Sequence, residues 1–518
     1  MSESVAIAAP HHLAVTAAKK VLDVGGNVVE AVVAAAAATT VVYPHQTSLG
    51  GDLFALVRRP DGSVLSVNAS GAYGTNAVPA VDAVPLVGPL TVTVPGAVAG
   101  WHWLLEQAGG TLALSTILDP AIELADEGVG VGERLGRAIA DAYECGGLED
   151  DGLRELLSAS DGSLLRAGDT LRQPALARTL RALADRGLRD FYEGGVAEHL
   201  RSAFDRLGVP ISAEDLAAHH VVVETPLVAQ TPTLLVATSP PNSQGYLLLT
   251  TLLAIEDIES RGVEVDSGML AKLFAFGEAR RLRELADPRS MRVDVRDVLR
   301  PEAIAADVDH LLTGAQKAMT VPQAVKPSGD TVAITATASD GTSVSLMQSL
   351  FHSFGSRLRD PRTGIVFHNR GSFFSSDHTS PNFLAPGRRP AHTLMPVLAE
   401  YPDGTTSALG TMGGRAQPQI LTQLIQQSSA GIGPSDAVAA PRFLVGGLEA
   451  GTQNDVALAE SDLSPRALDD LRRAGVAVRV THSHDEELGH AMIAMRNADG
   501  RVSAGADPRS DGSTYAHQ

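Results

Sequence analysis

Three consecutive residues, Gly329-Asp330-Thr331, lie where a polar segment changes into a strongly β-forming one. A hydroxyl is a weak nucleophile unless a base lies beside it. If the peptide bond before Thr331 were cut, the new α-amine would supply that base, because its reference pKa is about 7.7–8.0. The hydroxyl can make this cut itself, by attacking the preceding carbonyl and forming an ester that water opens. The same position also fits an ordinary strand residue, so the local pattern leaves both interpretations open.

A β-hairpin is predicted directly after this junction. Residues 331–338 alternate in character and are rich in β-branched types, and a second strand follows the turn at Asp340-Gly341. If these two are the central turn residues, Thr331 faces Leu350 and Ser349 is adjacent. A one-residue bulge would place Ser349 opposite Thr331, where a second hydroxyl can orient the first. Such a pair is equally an ordinary cross-strand contact.

Two other patterns contain residues that could form a functional site. Gly413-Gly414 follows an apolar stretch and precedes a predicted helix at 418–427, so its backbone N–H groups can face a developing oxyanion, although Gly-Gly turns are common. The histidines and carboxylates between His482 and His490 have the composition of a metal site. Their spacing matches neither one helix face nor a standard zinc pattern, and a solvated loop is the preferred interpretation. No metal or other cofactor is expected.

Several elements must position these residues. Helices are predicted over 8–22 and 27–39, with Gly25-Gly26 between them, and the chain from 101 to 309 is mainly helical. Residues 310–328 lose this periodicity and are predicted to form an exposed linker. The β-hairpin therefore begins directly after a polar, non-periodic segment.

Composition excludes several classes of protein. The 518 residues are 44% hydrophobic, enough for a substantial core, and the formal net charge of −19 argues against a nucleic-acid partner. The one cysteine, Cys145, excludes an intramolecular disulfide. The apolar stretch Ala31–Val42 is shorter than the ~20 residues of a membrane span, and the start has no basic region typical of a signal peptide. A cytoplasmic protein without a membrane partner is expected.

The chain resembles the γ-glutamyltransferase family of N-terminal-nucleophile hydrolases from about Ala8 to its end. The resemblance depends on many short blocks in the family's order, and Ser-Pro-Pro-Asn-Ser-Gln-Gly is a variant of the family's loop. The blocks are Gly-Gly-Asn-Val-Val-Glu-Ala (25–31), Gly-Gly-Asp (50–52), Val-Pro-Gly-Ala-Val-Ala-Gly (94–100), Ser-Pro-Pro-Asn-Ser-Gln-Gly (239–245), Gly-Asp-Thr-Val (329–332), Gly-Ser-Arg-Leu-Arg-Asp-Pro-Arg-Thr-Gly-Ile-Val (355–366), Met-Gly-Gly-Arg (412–415), Ala-Pro-Arg-Phe (440–443) and Ala-Asp-Pro-Arg-Ser (506–510).

The resemblance implies an α+β fold, a four-layer αββα sandwich, and a precursor that cuts itself. The cut would fall between Asp330 and Thr331, giving a large fragment of residues 1–330 and a small one of residues 331–518 that stay together as a heterodimer, with further dimerisation left open. Thr331 matches the family's nucleophile. Gly413 and Gly414 match its oxyanion glycines, and Ser349 lies where the family has a supporting hydroxyl.

The departures from the family concern the substrate. Glutamyl-transferring members hold the α-carboxylate with an arginine where this sequence has Ser70, and with a Ser-Ser pair where it has His392-Thr393. They hold the α-amine with an Asp and an Asn, and these positions match Phe373 and Phe351. A buried ammonium facing phenyl rings lacks a paired charge, which costs several kcal/mol. A γ-glutamyl head group is therefore not the expected substrate.

The finer pattern resembles the family's oxamate amidohydrolase branch. This implies hydrolysis of a small carboxylate-bearing amide, with Arg370 as the candidate carboxylate ligand and with His392, Thr393, Ser70 and Phe373 completing the substrate site. Arg370 fits a structural bridge between the two segments equally well. Three alternatives remain: a γ-glutamyl hydrolase or transferase, a β-lactam side-chain acylase, and an inactive scaffold with the same fold. The blocks shared with this branch are 9–13, 42–45, 68–71, 172–177, 190–192, 368–371 and 392–394.

Overall fold

The protein is described here by a computed structural model, which covers residues 4–77, 83–107, 109–313, 329–446 and 456–517. In these ranges the strands are β1 (Val5–Ala9), β2 (Asp52–Arg58), β3 (Val64–Asn68), β4 (Val129–Gly130), β5 (Thr170–Leu171), β6 (Val222–Glu224), β7 (Leu227–Thr231), β8 (Leu234–Thr238), β9 (Gly329–Ala338), β10 (Ser343–His352), β11 (Val397–Glu400), β12 (Thr406–Met412), β13 (Phe443–Val445), β14 (Val456–Glu460), β15 (Ala477–Thr481), β16 (His490–Arg496), β17 (Val502–Ala506) and β18 (Ser513–His517).

The α-helices in the same ranges are α1 (His12–Asp23), α2 (Val28–Val42), α3 (Ala97–Gln107), α4 (Leu114–Glu127), α5 (Glu133–Glu144), α6 (Asp151–Leu156), α7 (Pro174–Arg186), α8 (Asp190–Glu193), α9 (Gly195–Leu207), α10 (Ala213–Ala217), α11 (Tyr246–Ser260), α12 (Ser267–Glu284), α13 (Val295–Val298), α14 (Pro301–Leu312), α15 (Gln417–Ser429), α16 (Pro434–Ala439) and α17 (Pro465–Arg473). Short 3₁₀ turns cover Pro89–Thr91, Arg370–Phe373, Gly414–Ala416 and Glu486–Leu488.

Two large sheets form the centre of the fold. The first has the strand order β18-β1-β9-β10-β2-β3-β6, and the second has the order β17-β16-β12-β11-β8-β7. In the first sheet β9 lies between β1 and β10, and β10 pairs in turn with β2. Strands from before and after residue 330 are therefore interleaved in this sheet.

Alternation along the strands of the first sheet creates two cores. Val332 and Ile334 of β9 point towards the helical layer that includes α1, α2 and α4, where they join the largest hydrophobic cluster. Ala333 of the same strand packs with Phe54 and Met347 in a cluster between the two sheets. A third core lies between the second sheet and helices α11 and α15. The layers are thus helix, sheet, sheet and helix, which confirms the predicted αββα sandwich.

The first helices differ from the prediction at one end. The segment at 8–22 begins as β1 and becomes α1 only at His12, because Val5–Ala9 pairs on both sides within the first sheet. Helix α2 begins at a capping box made by Asn27 and Glu30. Every residue of α2 is buried, so its apolar sequence reflects a core helix. In the described ranges no helix has the length and apolarity required to cross a membrane. Residues 314–328 of the predicted linker lie outside the described residues.

The turn between β9 and β10 also differs from the prediction. Ser343 pairs with Thr337, and Ala338 donates its N–H to the Thr342 carbonyl, which leaves a loop of three residues, Ser339 to Gly341, instead of two. Gly341 has φ of +97°, the left-handed conformation that three-residue hairpin loops require. The longer loop shifts the register by one residue, and this shift determines which side chain faces Thr331.

One hydroxyl connects the two sheets directly. Ser345 of β10 is fully buried and donates from Oγ to the Leu409 carbonyl of β12 at 2.7 Å. Its Oγ also accepts from the N–H of Val397 in β11 at 3.3 Å. Because neither backbone group can reach water, the hydroxyl satisfies a donor and an acceptor that burial would otherwise leave unpaired.

We expect Ser345→Ala to destabilise the protein by about 1–3 kcal/mol, because it leaves these buried backbone groups without a partner. A fall in melting temperature of the purified protein measures the loss. Ser163→Ala is the matched control, since Ser163 is an exposed residue bonded to Asp161 within a surface turn. Equal melting temperatures for the two variants would contradict the role of Ser345 between the sheets.

Candidate active site

The hydroxyl of Thr331 lies opposite that of Ser349. The three-residue loop continues the hairpin register to Gln348↔Val332, so Ser349 is the next residue across from Thr331. Thr331 is 2% exposed, and its Oγ1 donates to Ser349 Oγ at 3.1 Å. Sequence analysis required a bulge to bring these residues together; the shifted register does so instead.

A β-bulge follows immediately. The pairing resumes at Phe351↔Asp330, so one residue, Leu350, is left out of the ladder. Leu350 directs its N–H to the Gln46 carbonyl, and Phe351 takes φ of +79°, which is uncommon for a bulky residue. In this conformation the Phe351 N–H donates a hydrogen bond to Ser349 Oγ at 2.8 Å. Ser349 is therefore held from one side by the backbone and from the other by Thr331.

Three polar side chains form one row across the first sheet. Ser349 pairs with Thr331 on one side and with Asp52 of β2 on the other. Directly opposed residues in antiparallel strands project from the same face. Two positions further along, Ala333 and its neighbours fill the core between the sheets, so the row faces the second sheet.

The Gly-Gly turn lies on that facing sheet. Strand β12 ends at Met412, and the 3₁₀ turn Gly414–Ala416 that follows it packs on β9. Gly414 has φ of +49°, which favours glycine, and a Cβ at Gly413 would stand 2.5 Å from Ile420 Cδ1. A backbone turn of this type, placed next to the strand that carries Thr331, can present N–H groups to an oxyanion.

A buried arginine lies beside the bulge. Arg370 is 1% exposed, and its guanidinium carbon stands 3.6 Å from the centroid of the Phe351 ring and 5.6 Å from that of Phe373. Its Nη2 donates to Thr393 Oγ1 at 3.1 Å. The guanidinium of Arg415 lies 5.2 Å from the Phe373 ring as well. The two phenyl rings, expected to make an apolar pocket, carry cations on their faces.

The side chain of His392 is engaged at both ring nitrogens. Its Nδ1 accepts from the Leu394 N–H at 3.2 Å, so the proton of the neutral ring belongs on Nε2, which lies 3.2 Å from Asp52 Oδ2. Burial, followed by the charge of Arg370, lowers the pKa of His392 to about 3. The ring is neutral at physiological pH and its two hydrogen bonds lie within the protein.

Ser70 belongs to a neighbouring amide network. It is fully buried, donates from Oγ to Asn68 Oδ1 at 2.7 Å and accepts from Asn242 Nδ2 at 3.2 Å. The same Asn242 side chain donates to the Pro390 carbonyl, and the backbone carbonyl of Asn242 accepts from the N–H of His392. Ser70 is thereby connected through the 239–245 loop to the segment that carries His392.

One glutamine connects the candidate oxyanion turn with the candidate substrate segment. Gln244 is buried, and its Nε2 donates to the Gly414 carbonyl and to the Thr393 carbonyl, both at 2.9 Å. The Oε1 of Gln244 accepts from Arg281. These bonds fix the relative position of the two segments.

Most of the predicted site residues contact one another directly or through one intervening residue; these are Thr331, Ser349, Phe373, Arg370, Thr393, Gly414 and His392. Ser70 is connected to them by the amide network. The side chain of Asp330 lies outside the description, but its backbone forms part of β9. Asp52, Gln244 and Asn242 were not predicted as site residues. Their signal was present in the Gly50-Gly51-Asp52 and 239–245 blocks, which carry part of the family resemblance. Among the described residues, no group of three or more His, Cys, Asp or Glu side chains is arranged to hold a metal ion.

Known proteins resemble this chain over nearly its whole length. An oxamate amidohydrolase proenzyme of Klebsiella pneumoniae subsp. pneumoniae is 36% identical over 98% of each chain. A glutathione hydrolase-like YwrD proenzyme of Bacillus subtilis is 32% identical, covering 98% of this chain and 97% of its own.

A solved structure gives the same result for the fold. The crystal structure of a cephalosporin acylase from Bacillus halodurans superposes with a TM-score of 0.88 at 27% identity, covering 100% of this chain and 96% of the other. Residues 14–517 match the family described as gamma-glutamyltranspeptidase. The chain therefore belongs to the gamma-glutamyltranspeptidase family and is an enzyme of the N-terminal-nucleophile amidohydrolase type.

Proposed function

We propose that this protein is a self-cleaving amidohydrolase that hydrolyses a small carboxylate-bearing amide such as oxamate, through an acyl-enzyme on Thr331. The observation that carries the proposal is the buried Arg370, stacked on Phe351, the residue that pairs with Asp330. Only Phe351 separates the permanent cation of Arg370 from Asp330, the residue before the proposed cut. A cation in this position is suited to an acid whose carboxylate lies close to the amide being cut. The Klebsiella relative, named for oxamate, supports the same substrate class.

In the proposed maturation, Thr331 Oγ1 attacks the Asp330 carbonyl carbon, the C–N bond breaks, and the acyl group moves to oxygen. This shift frees the α-amine of Thr331. Water then opens the ester, which frees the Thr331 hydroxyl and the Asp330 carboxylate and leaves fragments 1–330 and 331–518. Ser349 accepts the Thr331 hydroxyl hydrogen bond and so orients the attacking oxygen. The fragments remain together as a heterodimer in a cytoplasmic enzyme without a membrane or nucleic-acid partner.

In the proposed turnover, the α-amine takes the proton of Thr331 Oγ1 as this oxygen attacks the oxamate amide carbon. The N–H groups of Gly413 and Gly414 stabilise the oxyanion, and ammonia leaves with the returned proton. Water hydrolyses the oxalyl ester and releases oxalate. Arg370, with Thr393, holds the carboxylate throughout, while His392, Ser70 and Phe373 shape the pocket wall.

Two alternative substrates have specific support. The Bacillus subtilis relative is named as glutathione hydrolase-like, which favours a γ-glutamyl donor, and the Bacillus halodurans structure is that of a cephalosporin acylase. In the present site, the phenyl rings of Phe351 and Phe373 are covered by guanidinium groups, so an ammonium placed there would meet cations. This disfavours the γ-glutamyl alternative. An inactive scaffold is tested by the first experiment below.

Thr331→Ala should abolish self-cleavage and activity, because the hydroxyl is both the maturation nucleophile and the catalytic one. On a denaturing gel the wild type should give two bands, and N-terminal sequencing of the 188-residue fragment should begin at Thr331. Thr335→Ala is the matched control: Thr335 is equally buried and lies on the same face of β9, and this variant should still cleave. A wild-type chain that never splits, or a break elsewhere, would contradict the assignment.

Gly414→Ala should lower kcat by about 10²–10³-fold with a smaller change in KM, because a Cβ at φ of +49° strains the turn and displaces an N–H donor that acts only in the transition state. Steady-state kinetics on oxamate measure the split. Gly404→Ala is the control for backbone strain, since Gly404 also has a positive φ, +81°, but lies in a turn between β11 and β12. A folded Gly414→Ala enzyme with unchanged kcat would place the oxyanion donors elsewhere.

The wild type should hydrolyse oxamate at least ~10²-fold faster than a γ-glutamyl amide in kcat/KM, equivalent to about 2.7 kcal/mol. Arg370→Met, which preserves side-chain bulk, should remove the preference for oxamate over its neutral analogue oxamide while self-cleavage persists. Ammonia release from oxamate, from oxamide and from a γ-glutamyl amide measures both preferences.

Arg359→Met controls for the loss of a buried arginine, because Arg359 is 6% exposed and bonds Gly152 away from the site. It should leave the oxamate-to-oxamide ratio unchanged. A retained preference in Arg370→Met would mean that another cation holds the carboxylate, and a wild type that prefers γ-glutamyl donors would refute the proposed substrate.

A further inference from the structure

The carboxylate of Asp52 is the point where three separate segments of the site meet. Asp52 is 1% exposed and begins strand β2. Its Oδ1 accepts from the Gly71 N–H at 3.2 Å, and its Oδ2 lies 3.2 Å from His392 Nε2 and 3.4 Å from His368 Nδ1. These partners are the immediate or near neighbours of Ser70, Thr393 and Arg370.

The hydrogen-bond network orients both histidines that face Asp52. His392 donates from Nε2, because its Nδ1 accepts from a backbone N–H. His368 Nε2 lies 2.9 Å from the Thr93 carbonyl, which can only accept, so this nitrogen donates. The other ring nitrogen of His368, Nδ1, faces the Asp52 carboxylate at 3.4 Å.

The carboxyl of Asp52 is ionised in this cluster. Burial alone would raise the pKa of Asp52, but His368 and His392 lower it below its usual range. Removing a partner of a buried charge is strongly destabilising.

We infer that Asp52 is the positioning residue of the acid-binding pocket, one acceptor-only carboxylate that sets the relative placement of the Ser70, Arg370 and His392-Thr393 segments. The inference rests on the proposed function, because it assigns these segments to the acid's carboxylate. Asp52 acts through His392 and Thr393 on the guanidinium of Arg370, which Thr393 Oγ1 bonds directly. It does not itself touch the reacting atoms.

The chemistry of the carboxylate makes the substitution informative. The Gly71 N–H and the His392 Nε2–H are both donors to it, and a carboxylate accepts at both oxygens. In Asp52→Asn, one of the two positions becomes an NH₂ donor. It must then oppose either the Gly71 N–H or the His392 Nε2–H. One of the two segments has to move, although the side chain has nearly the same size.

Asp52→Asn should lower kcat/KM for oxamate by about 10- to 100-fold, mainly through KM, because a misplaced guanidinium weakens carboxylate binding. For neutral oxamide the change should stay below about threefold, and self-cleavage should proceed as in the wild type. Equal losses on the two amides would overturn the inference, since a merely structural role affects both alike.

Glu460→Gln is the matched control. Glu460 is an equally buried carboxylate that accepts from Arg442, Asp485 and Arg509 near the three-stranded sheet of β13, β14 and β15. It should lower the melting temperature without changing the oxamate-to-oxamide ratio. A changed ratio in Glu460→Gln would also overturn the inference, because the effect would then follow from general destabilisation.

Two further measurements keep the test decisive. If Asp52→Asn does not fold, His368→Gln removes the ring that lies against Asp52 Oδ2 and should shift the ratio in the same direction; an unchanged ratio would contradict the inference. If the wild type does not hydrolyse oxamate, the proposed function fails. Crystal structures of the wild type and Asp52→Asn then test the positioning alone. If segments 68–71 and 391–394 each keep the same position in the two structures, the inference is refuted.

Discussion

The register of a single hairpin determines the geometry of the whole site. A three-residue loop between β9 and β10 places Ser349 across from Thr331, and the bulge at Leu350 then returns Phe351 to the position opposite Asp330. A slip of one residue would move each of these side chains to the other face of the sheet. Ser349 would lose its hydrogen bond with Thr331, and Phe351 would no longer contact the guanidinium of Arg370.

One hydrogen-bonded connection joins the candidate substrate segment to the candidate oxyanion turn. The Gln244 amide holds the carbonyls of Gly414 and Thr393 together, and Thr393 in turn bonds Arg370. Under the proposed function, a change in how the acid is held would therefore be transmitted to the Gly413-Gly414 turn. This coupling follows from hydrogen bonds between rigid backbone segments, without any moving part.

Much of the fold could be predicted from local pattern and family resemblance. The β-hairpin after residue 328, the buried character of α2 and the αββα layers were all predicted, because periodicity and short motifs are local signals. The loop length was wrong, since Asp340-Gly341 is compatible with both a two-residue and a three-residue loop, and only pairing with β1 and β2 selects the second.

The interactions inside the site were harder to predict. Phe351 and Phe373 indicated an apolar pocket, but the sequence does not show that Arg370 and Arg415 lie against their rings. Asp52 stood in a recognised glycine-rich block, and its importance depends on Gly71, His368 and His392, which are close only after folding. Long-range contacts between polar residues leave no periodic trace in a sequence.

The interleaved order of the first sheet has a consequence for how the enzyme must be made. Under the proposed cut, β10 and β9 from Thr331 onwards belong to the small fragment, while their outer neighbours β1 and β2 belong to the large one. Folding is unimolecular before the cut and would be bimolecular after it. Once unfolded, the two fragments must associate before the central strands of the sheet can form again, so the refolding rate depends on concentration. The mature enzyme is therefore expected to depend on slow unfolding for its lifetime, in the manner of proteins whose stability is kinetic.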